Sequence, residues 1–317
     1  MENGIKRQMT DADLATFVQQ AFDGSRTLIS ANELKDGMFN SAYVLTLDNG
    51  MKAVLKVAPH HSGGILRYER GMMKAEVEVL RILQNAGKIP VPEVYYYNNL
   101  AADPEYFVME HLAGQPFNKV KDQLPAAERE QIERELGEIS RRINEITGQH
   151  FGYYAIPEKH GTCWRKVFTD MISDLLADAR DANLPLPAED EEILALLDRH
   201  RAALEEVATP YLVHWDLWDG NVFVDDGKII GIIDCERALW GDPLMEYYFR
   251  GMWERSQPFM EGYGLQSLTE SELERIKLYD LYLALIVYIE CSYRKYSDRN
   301  HIQWATDTLW QCWQKMN

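Results

Sequence analysis

The sequence predicts an α+β protein in two lobes, a small β-rich one over residues 1–110 and a larger, mainly helical one over residues 111–317. Three observations lead there. β-rich runs gather in the first third of the chain, with one helical stretch among them. Apolar residues recur at helical spacing through most of the remaining two thirds. A short β-rich interruption around Val222–Ile233 breaks the helical part.

Ala42–Leu47 and Lys52–Val57 are β-rich runs around Asp48-Asn49-Gly50. Asn-Gly between such runs signals a tight hairpin, because the turn needs positive φ at its centre. Lys56 therefore lies on a strand. Arg70–Leu83 has helical composition with an apolar face of Val79, Leu80 and Leu83, and Gly87 with Pro90-Val91-Pro92 stops it. Glu76 lies on this helix. Tyr106–Met109 reads as a further strand and Glu110–Gly114 as the crossing between lobes. Beyond it, Ile132, Leu136, Ile139, Ile143 and Ile146 form the core-facing stripe of an amphipathic helix ending near Gly148. Helical patterns run over Trp164–Asp181, Glu189–Val207 and much of the chain after Glu270. Val222–Val224 and Ile229–Ile233 flank Asp225-Asp226-Gly227-Lys228 as a second hairpin. The sequence shows no internal repeat and no low-complexity tract.

Composition narrows the class. With 317 residues, 46% hydrophobic and 26% charged, the chain can bury a core without staples. Cys163, Cys235, Cys291 and Cys312 are scattered without a C-x-x-C pair, which points away from zinc and disulfides and toward a reducing cytoplasm. The amino terminus lacks the apolar run of a signal peptide. The apolar segment from Leu281 is shorter than a membrane span, follows Asp280 and contains Glu290, so it reads as a buried helix with no membrane implied. A net charge of -17 without a Lys/Arg block argues against nucleic acid and permits a cationic ligand.

The stretch from Tyr211 to Pro243 holds Asp216, then Asn221, then Asp234 after the hairpin. Phosphoryl transfer needs a carboxylate to accept the proton of the attacking hydroxyl, and oxygen ligands for the Mg²⁺ that neutralises phosphate charge. These three residues can supply both. His214-Trp215-Asp216-Leu217-Trp218-Asp219-Gly220-Asn221 and Ile233-Asp234-Cys235 stand where protein kinases carry H-R-D-L-x-x-x-N and D-F-G.

With Gly241-Asp242-Pro243 close behind, the chain resembles the aminoglycoside phosphotransferase family over nearly its whole length. The resemblance implies a two-lobed protein-kinase-like fold and transfer of phosphate from ATP or GTP, with Mg²⁺, to a hydroxyl of a small molecule. It implies Asp216 as catalytic base, Asn221 and Asp234 as metal ligands, and Lys56 holding the α- and β-phosphates. Glu76 would pair with Lys56, with Glu78 as the alternative. The segment Lys35–Ser41 would fold over the phosphates through Gly37, Asn40 and Ser41, and Met109–Leu112, with Glu110 and Leu112 among them, would offer backbone groups to the nucleotide base. Little chain follows Asp234 before the helix expected near Pro243, so the peptide-docking platform of protein kinases is missing and a small acceptor is favoured. Glu246 stands where the family more often has Asp, which puts its support of the catalytic loop in question. Asp242 reads equally as a helix cap.

For the acceptor, residues 121–210 carry 19 acidic against 11 basic residues, a net of -8. Asp170, Asp174 and Asp178 recur every four residues on one helix. That stripe is either a solvated face or a site for a polyamine sugar. Trp164, Trp218, Trp240 and Trp253 either stack on a ligand or fill the core. Trp218, beside the catalytic loop, joins Asp170 and Asp174 as a candidate acceptor contact. The rival to an active kinase is a catalytically silent nucleotide-binding protein of the same fold.

Overall fold

Thr10 opens a helix beyond the one expected in the N-terminal region. In this computed structural model, which describes residues 6–35, 37, 39–60, 64–98, 103–252 and 255–316, α1 spans Asp11–Ala21. Its capping box is reciprocal: the Thr10 hydroxyl accepts the Asp13 amide and the Asp13 carboxylate accepts the Thr10 amide. Leu14, Phe17 and Val18 are buried on one face.

Five antiparallel strands follow, β1 (Leu28–Leu34), β2 (Ser41–Leu47), β3 (Lys52–Val57), β4 (Val94–Asn98) and β5 (Tyr106–Glu110), in the sheet order β1-β2-β3-β5-β4. The β2–β3 hairpin turns where Asn-Gly predicts it, and Gly50 has φ +81°. Helix α2 (Met72–Ala86) lies between β3 and β4 in the chain, bounded by Gly71 at φ +70° and Gly87 at φ +67°. Strand alternation sorts the side chains between two cores. Ala53, Leu55 and Val57 of β3 and Tyr106 and Val108 of β5 pack with α1. Val54, Phe107 and Met109 join the core that contains α2. Lys56, two residues from Val54, consequently projects on the α2 side.

The remaining chain is mainly helical: β6 (Gln115–Pro116), α3 (Phe117–Val120), α4 (Ala126–Asn144), β7 (Gly152–Tyr153), α5 (Trp164–Asp181), α6 (Asp190–Arg199), α7 (Arg201–Glu205), β8 (Tyr211–Val213), β9 (Val222–Asp225), β10 (Lys228–Ile232), β11 (Leu239–Gly241), α8 (Gln257–Tyr263), α9 (Glu270–Tyr293) and α10 (Arg299–Gln314). Small sheets β10-β9-β6 and β7-β11-β8 frame the loops of interest. The predicted isoleucine stripe is buried on α4 at Ile132, Leu136, Ile139 and Ile143, but the helix stops at Asn144, short of Gly148. The helical pattern of residues 189–207 is split at His200 into α6 and α7. Helices α4 and α8 touch through glycine: a Cβ on Gly262 would meet the Arg134 carbonyl oxygen at 1.9 Å. Helix α9 is the buried helix expected from Leu281, and no described helix is long and apolar enough to cross a membrane.

Candidate functional site

Lys56, Glu76 and Asp234 meet between the sheet and the helical region. Lys56 Nζ donates to Glu76 Oε1 at 2.6 Å and to Asp234 Oδ1 at 2.7 Å. Burial alone would push the Lys56 ammonium down, but Asp234, Glu76 and Glu236 outweigh it and hold the group protonated. Burial pushes the Glu76 carboxyl up to about 7 against the pull of Lys56. Asp234 moves the other way: although burial opposes it, Lys56 holds its carboxyl below the usual range. Glu78, the alternative partner, instead faces Lys74 at 3.8 Å on the exposed side of α2.

Two non-glycine residues adopt left-handed backbone here, Trp215 at φ +71° and Asp234 at φ +70°. Such conformations persist where surrounding contacts over-determine them. His214 Nε2 bonds the Ile233 carbonyl at 3.0 Å, the Ile233 amide donates to the Asn221 carbonyl at 3.0 Å, and Asn221 Nδ2 donates to the Asp216 carbonyl at 2.8 Å. The backbones carrying Asp216, Asn221 and Asp234 are thereby tied to one another. The Asp216 amide donates to His214 Nδ1 at 3.3 Å, which requires the neutral Nε2–H tautomer, and burial lowers the His214 pKa accordingly. Burial raises the pKa of Asp216, partly offset by Arg237. No described residue hydrogen-bonds its carboxylate.

Glu246 corrects an expectation. Its carboxylate accepts the His214 amide at 2.7 Å and the Trp215 amide at 3.2 Å, and Asn144 Nδ2 braces it at 3.3 Å. The longer side chain thus reaches the loop backbone where Asp is more frequent. Asp242 is both a cap and an ion-pair partner: it accepts the Leu244 amide at 3.1 Å, Arg275 Nε at 2.8 Å and the Tyr279 hydroxyl at 2.8 Å.

Of the expected nucleotide contacts, Asn40 reaches the cluster and Ser41 does not. Asn40 Nδ2 donates to Glu236 Oε2 at 2.7 Å. The Ser41 hydroxyl is fully buried and donates to the Arg7 carbonyl at 2.6 Å, so the strand's alternation turns it away. Gly37 is exposed, and Asp36 and Met38 beside it lie outside the described residues, as does Trp253. The Glu110 amide is taken by the Glu93 carbonyl at 2.8 Å, and Leu112 packs over Gly231.

The acidic stripe is paired with basic residues along its length. Lys166 binds Asp170 at 2.7 Å, Lys159 binds Asp174 at 2.6 Å, and Arg67 pairs with Asp178. The cavity that Asp170 and Asp174 rim with Tyr68, Tyr153 and Tyr282 holds about 20 Å³, the space of a water rather than of a sugar. Trp218 is 38% exposed, with its ring in the space a side chain at Gly220 would need. Trp164 is buried, with its indole N–H on the Tyr279 hydroxyl at 2.9 Å.

Sequence reasoning missed Glu236 and Arg237. Glu76, Asp234 and Glu236 each bring one oxygen within 4.8 Å of the others. Burial, then the charges of Asp234 and Glu76, push Glu236 well above the usual carboxylate range. Its position two residues after Asp234 was the one signal the sequence offered. Arg237 lies over the Tyr68 ring at 5.7 Å and donates to Glu290 at 3.4 Å.

A family model described as "Phosphotransferase enzyme family" matches residues 30–279. Hygromycin-B 4-O-kinase of Escherichia coli is 27% identical over 173 residues, which cover 50% of this chain and 46% of that protein. A subtelomeric hrmA-associated cluster protein of Aspergillus fumigatus is 27% identical over 123 residues, 38% of this chain and 23% of that protein. The matches thus span less than half of these curated relatives. Among solved structures, a candidate fructosamine-3-kinase of Haemophilus somnus superposes with a TM-score of 0.71 at 20% identity, covering 94% of this chain and 96% of that one. A thermostable mutant of the aminoglycoside phosphotransferase APH(4)-Ia gives 0.67 at 17% identity, covering 95% and 98%. These likenesses establish the protein-kinase-like fold.

Proposed function

Because the chain belongs to the phosphotransferase enzyme family, matched over residues 30–279, we propose that it moves the γ-phosphoryl group of ATP or GTP to a hydroxyl of a small molecule. The observation that carries this reading is the Lys56 ammonium shared between Glu76 and Asp234, set beside the cross-linked Asp216 loop. A protonated lysine fixed between two carboxylates is poised to bind phosphate oxygens. Residues 1–110 would hold the nucleotide and residues 111–317 the acceptor.

The site suits a divalent cation. Asp234, Glu76 and Glu236 offer hard oxygen donors within 4.8 Å of one another, and Asn221 has its Nδ2 committed to the Asp216 carbonyl, which leaves its amide oxygen as a ligand atom. Mg²⁺ bound there would neutralise phosphate charge. Asp234 and Asn221 would hold the ion, while Lys56 binds the nucleotide phosphates and Asn40 covers them. Asp216 would accept the proton of the acceptor hydroxyl as the oxygen attacks the γ-phosphorus and the nucleoside diphosphate leaves. The four free cysteines suit a reducing compartment such as the cytoplasm.

The test is a panel of hydroxyl acceptors, aminoglycosides, sugars and amino alcohols, given to purified protein with Mg²⁺ and either ATP or GTP. Acceptor-dependent release of nucleoside diphosphate, lost in Asp216→Asn, is the expected result. Nucleotide binding with no release of diphosphate in the presence of any acceptor would favour the catalytically silent reading.

A further inference from the structure

We propose that Arg250 is a positioning residue that holds Trp215 in its left-handed conformation and so aims the neighbouring Asp216 carboxylate. The inference rests on the phosphotransferase reading above and adds to it a residue outside the catalytic motif.

Trp215 is 1% exposed and sits at φ +71°, a region that bulky L-residues rarely enter without external constraint. Both sides of its backbone are gripped by one short segment. Glu246 Oε2 accepts the Trp215 amide at 3.2 Å, and Arg250 Nη2 donates to the Trp215 carbonyl at 2.6 Å. The two are joined by a single 3₁₀ turn over Tyr247–Phe249, closed by the Phe249 amide on the Glu246 carbonyl at 3.1 Å and the Arg250 amide on the Tyr247 carbonyl at 3.2 Å. The Arg250 guanidinium also stacks over the Trp215 ring at 4.7 Å and faces the Tyr247 ring at 5.2 Å. The peptide and the ring of Trp215 are thus fixed by the same cation.

The carbonyl that Arg250 binds belongs to the peptide linking Trp215 to Asp216, so rotation of that peptide would swing the aspartate. Arg250 is 5% exposed, none of the described carboxylates lies within 4.0 Å of its nitrogens, and its Nε has no hydrogen-bond partner. A buried guanidinium that forgoes a direct ion pair is unfavourable for stability alone. Burial pulls its pKa below the usual range, and Asp216 and Asp280 oppose that shift only in part, from longer range. That placement favours the ionised Asp216 that accepts a proton. Glu246 fixes the amide side; the carbonyl side depends on Arg250.

The experiment compares Arg250→Met, Arg250→Lys and wild type, using the acceptor found in the panel. In Arg250→Met, kcat should fall about 10–100-fold while the KM for nucleotide stays within about twofold, because an interaction serving the transition state acts on kcat. Arg250→Lys, which keeps a donor and a cation over the ring, should recover part of the loss. A crystal structure of Arg250→Met should show the Trp215 carbonyl turned from its present direction. Wild-type kcat in folded Arg250→Met would overturn the proposal, as would a loss that Lys does not mitigate and that raises the nucleotide KM in parallel. An unchanged Trp215 backbone in the variant crystal would overturn it too. This last readout needs no acceptor, so it separates failure of this inference from failure of the kinase reading.

Discussion

His214 Nε2 donates to the Ile233 carbonyl at 3.0 Å, so one imidazole fixes the loop carrying Asp216 to the strand exit carrying Asp234. The ring is buried and neutral, with its other nitrogen accepting the Asp216 amide. It therefore acts as a strut between the proposed base and the proposed metal ligand.

Asp216→Asn should lower kcat by about 10²–10⁴-fold, the usual contribution of a general base, and leave nucleotide affinity nearly unchanged. The reason is geometric: Asp216 touches neither Lys56 nor Asn40 through any hydrogen bond, and its amide and carbonyl bonds survive the substitution. Steady-state kinetics with a nucleotide titration checks this. Wild-type turnover would remove Asp216 from the role.

Asp234→Ala should weaken Mg²⁺-dependent nucleotide binding more than Asn221→Ala does, because a carboxylate is the stronger ligand for a hard cation. It should also free Lys56 from one of its two partners. Nucleotide titrations with and without Mg²⁺ decide the matter. Equal Mg²⁺ dependence in wild type and Asp234→Ala would place the ion elsewhere.

Lys56→Met should destabilise the fold by about 3–5 kcal/mol at pH 8, the typical cost of leaving one member of a buried ion pair alone. Glu76 is fully buried, and burial already pushes it up to about 7 with Lys56 in place. Without the lysine its folded pKa rises further above the unfolded value, so the native state binds the proton more tightly and stability increases as pH falls. Urea denaturation should thus show a smaller loss at pH 6 than at pH 8, and Glu76→Gln added to Lys56→Met should recover stability at pH 8. Identical losses at both pH values would contradict this.

Asp280, buried in α9, offers a second pH test. Burial raises its carboxyl from 3.8 to about 7, against the pull of Arg250, and its Oδ1 has no hydrogen-bond partner. Its folded pKa exceeds the unfolded value, so its contribution favours folding below about pH 4 and is progressively lost between about pH 4 and 7. Asp280→Asn should therefore raise the melting temperature relative to wild type by an amount that grows across that window and levels off above it. A pH-independent difference would show that Asp280 stays ionised in the folded protein.

Much of the framework was legible because it is written in local chemistry. Asn49-Gly50 placed the β2–β3 hairpin, the β-rich run Lys52–Val57 put Lys56 on a strand, and Gly87 closed α2. What was missed needed partners distant in sequence. Ser41 and Asn40 are adjacent, yet one turns to Arg7 and the other to Glu236, 196 residues away. Asp170 and Asp174 looked like an open carboxylate stripe, but Lys159 folds back onto Asp174 from outside the helix.

The sequence by itself determined the order of Asp216, Asn221 and Asp234 and the elements that carry them, since turns and periodic burial depend on neighbours a few residues away. Tertiary structure alone decided that Glu76 and not Glu78 meets Lys56, that Glu236 joins the carboxylates, and that Glu246 and Arg250 grip Trp215. A carboxylate two positions along a helix points to a different face, and only the packed fold sets which face loses its water. Once water is excluded, the strength of each charge depends on which groups lie within a few ångströms, a property of the assembled site and not of the chain order.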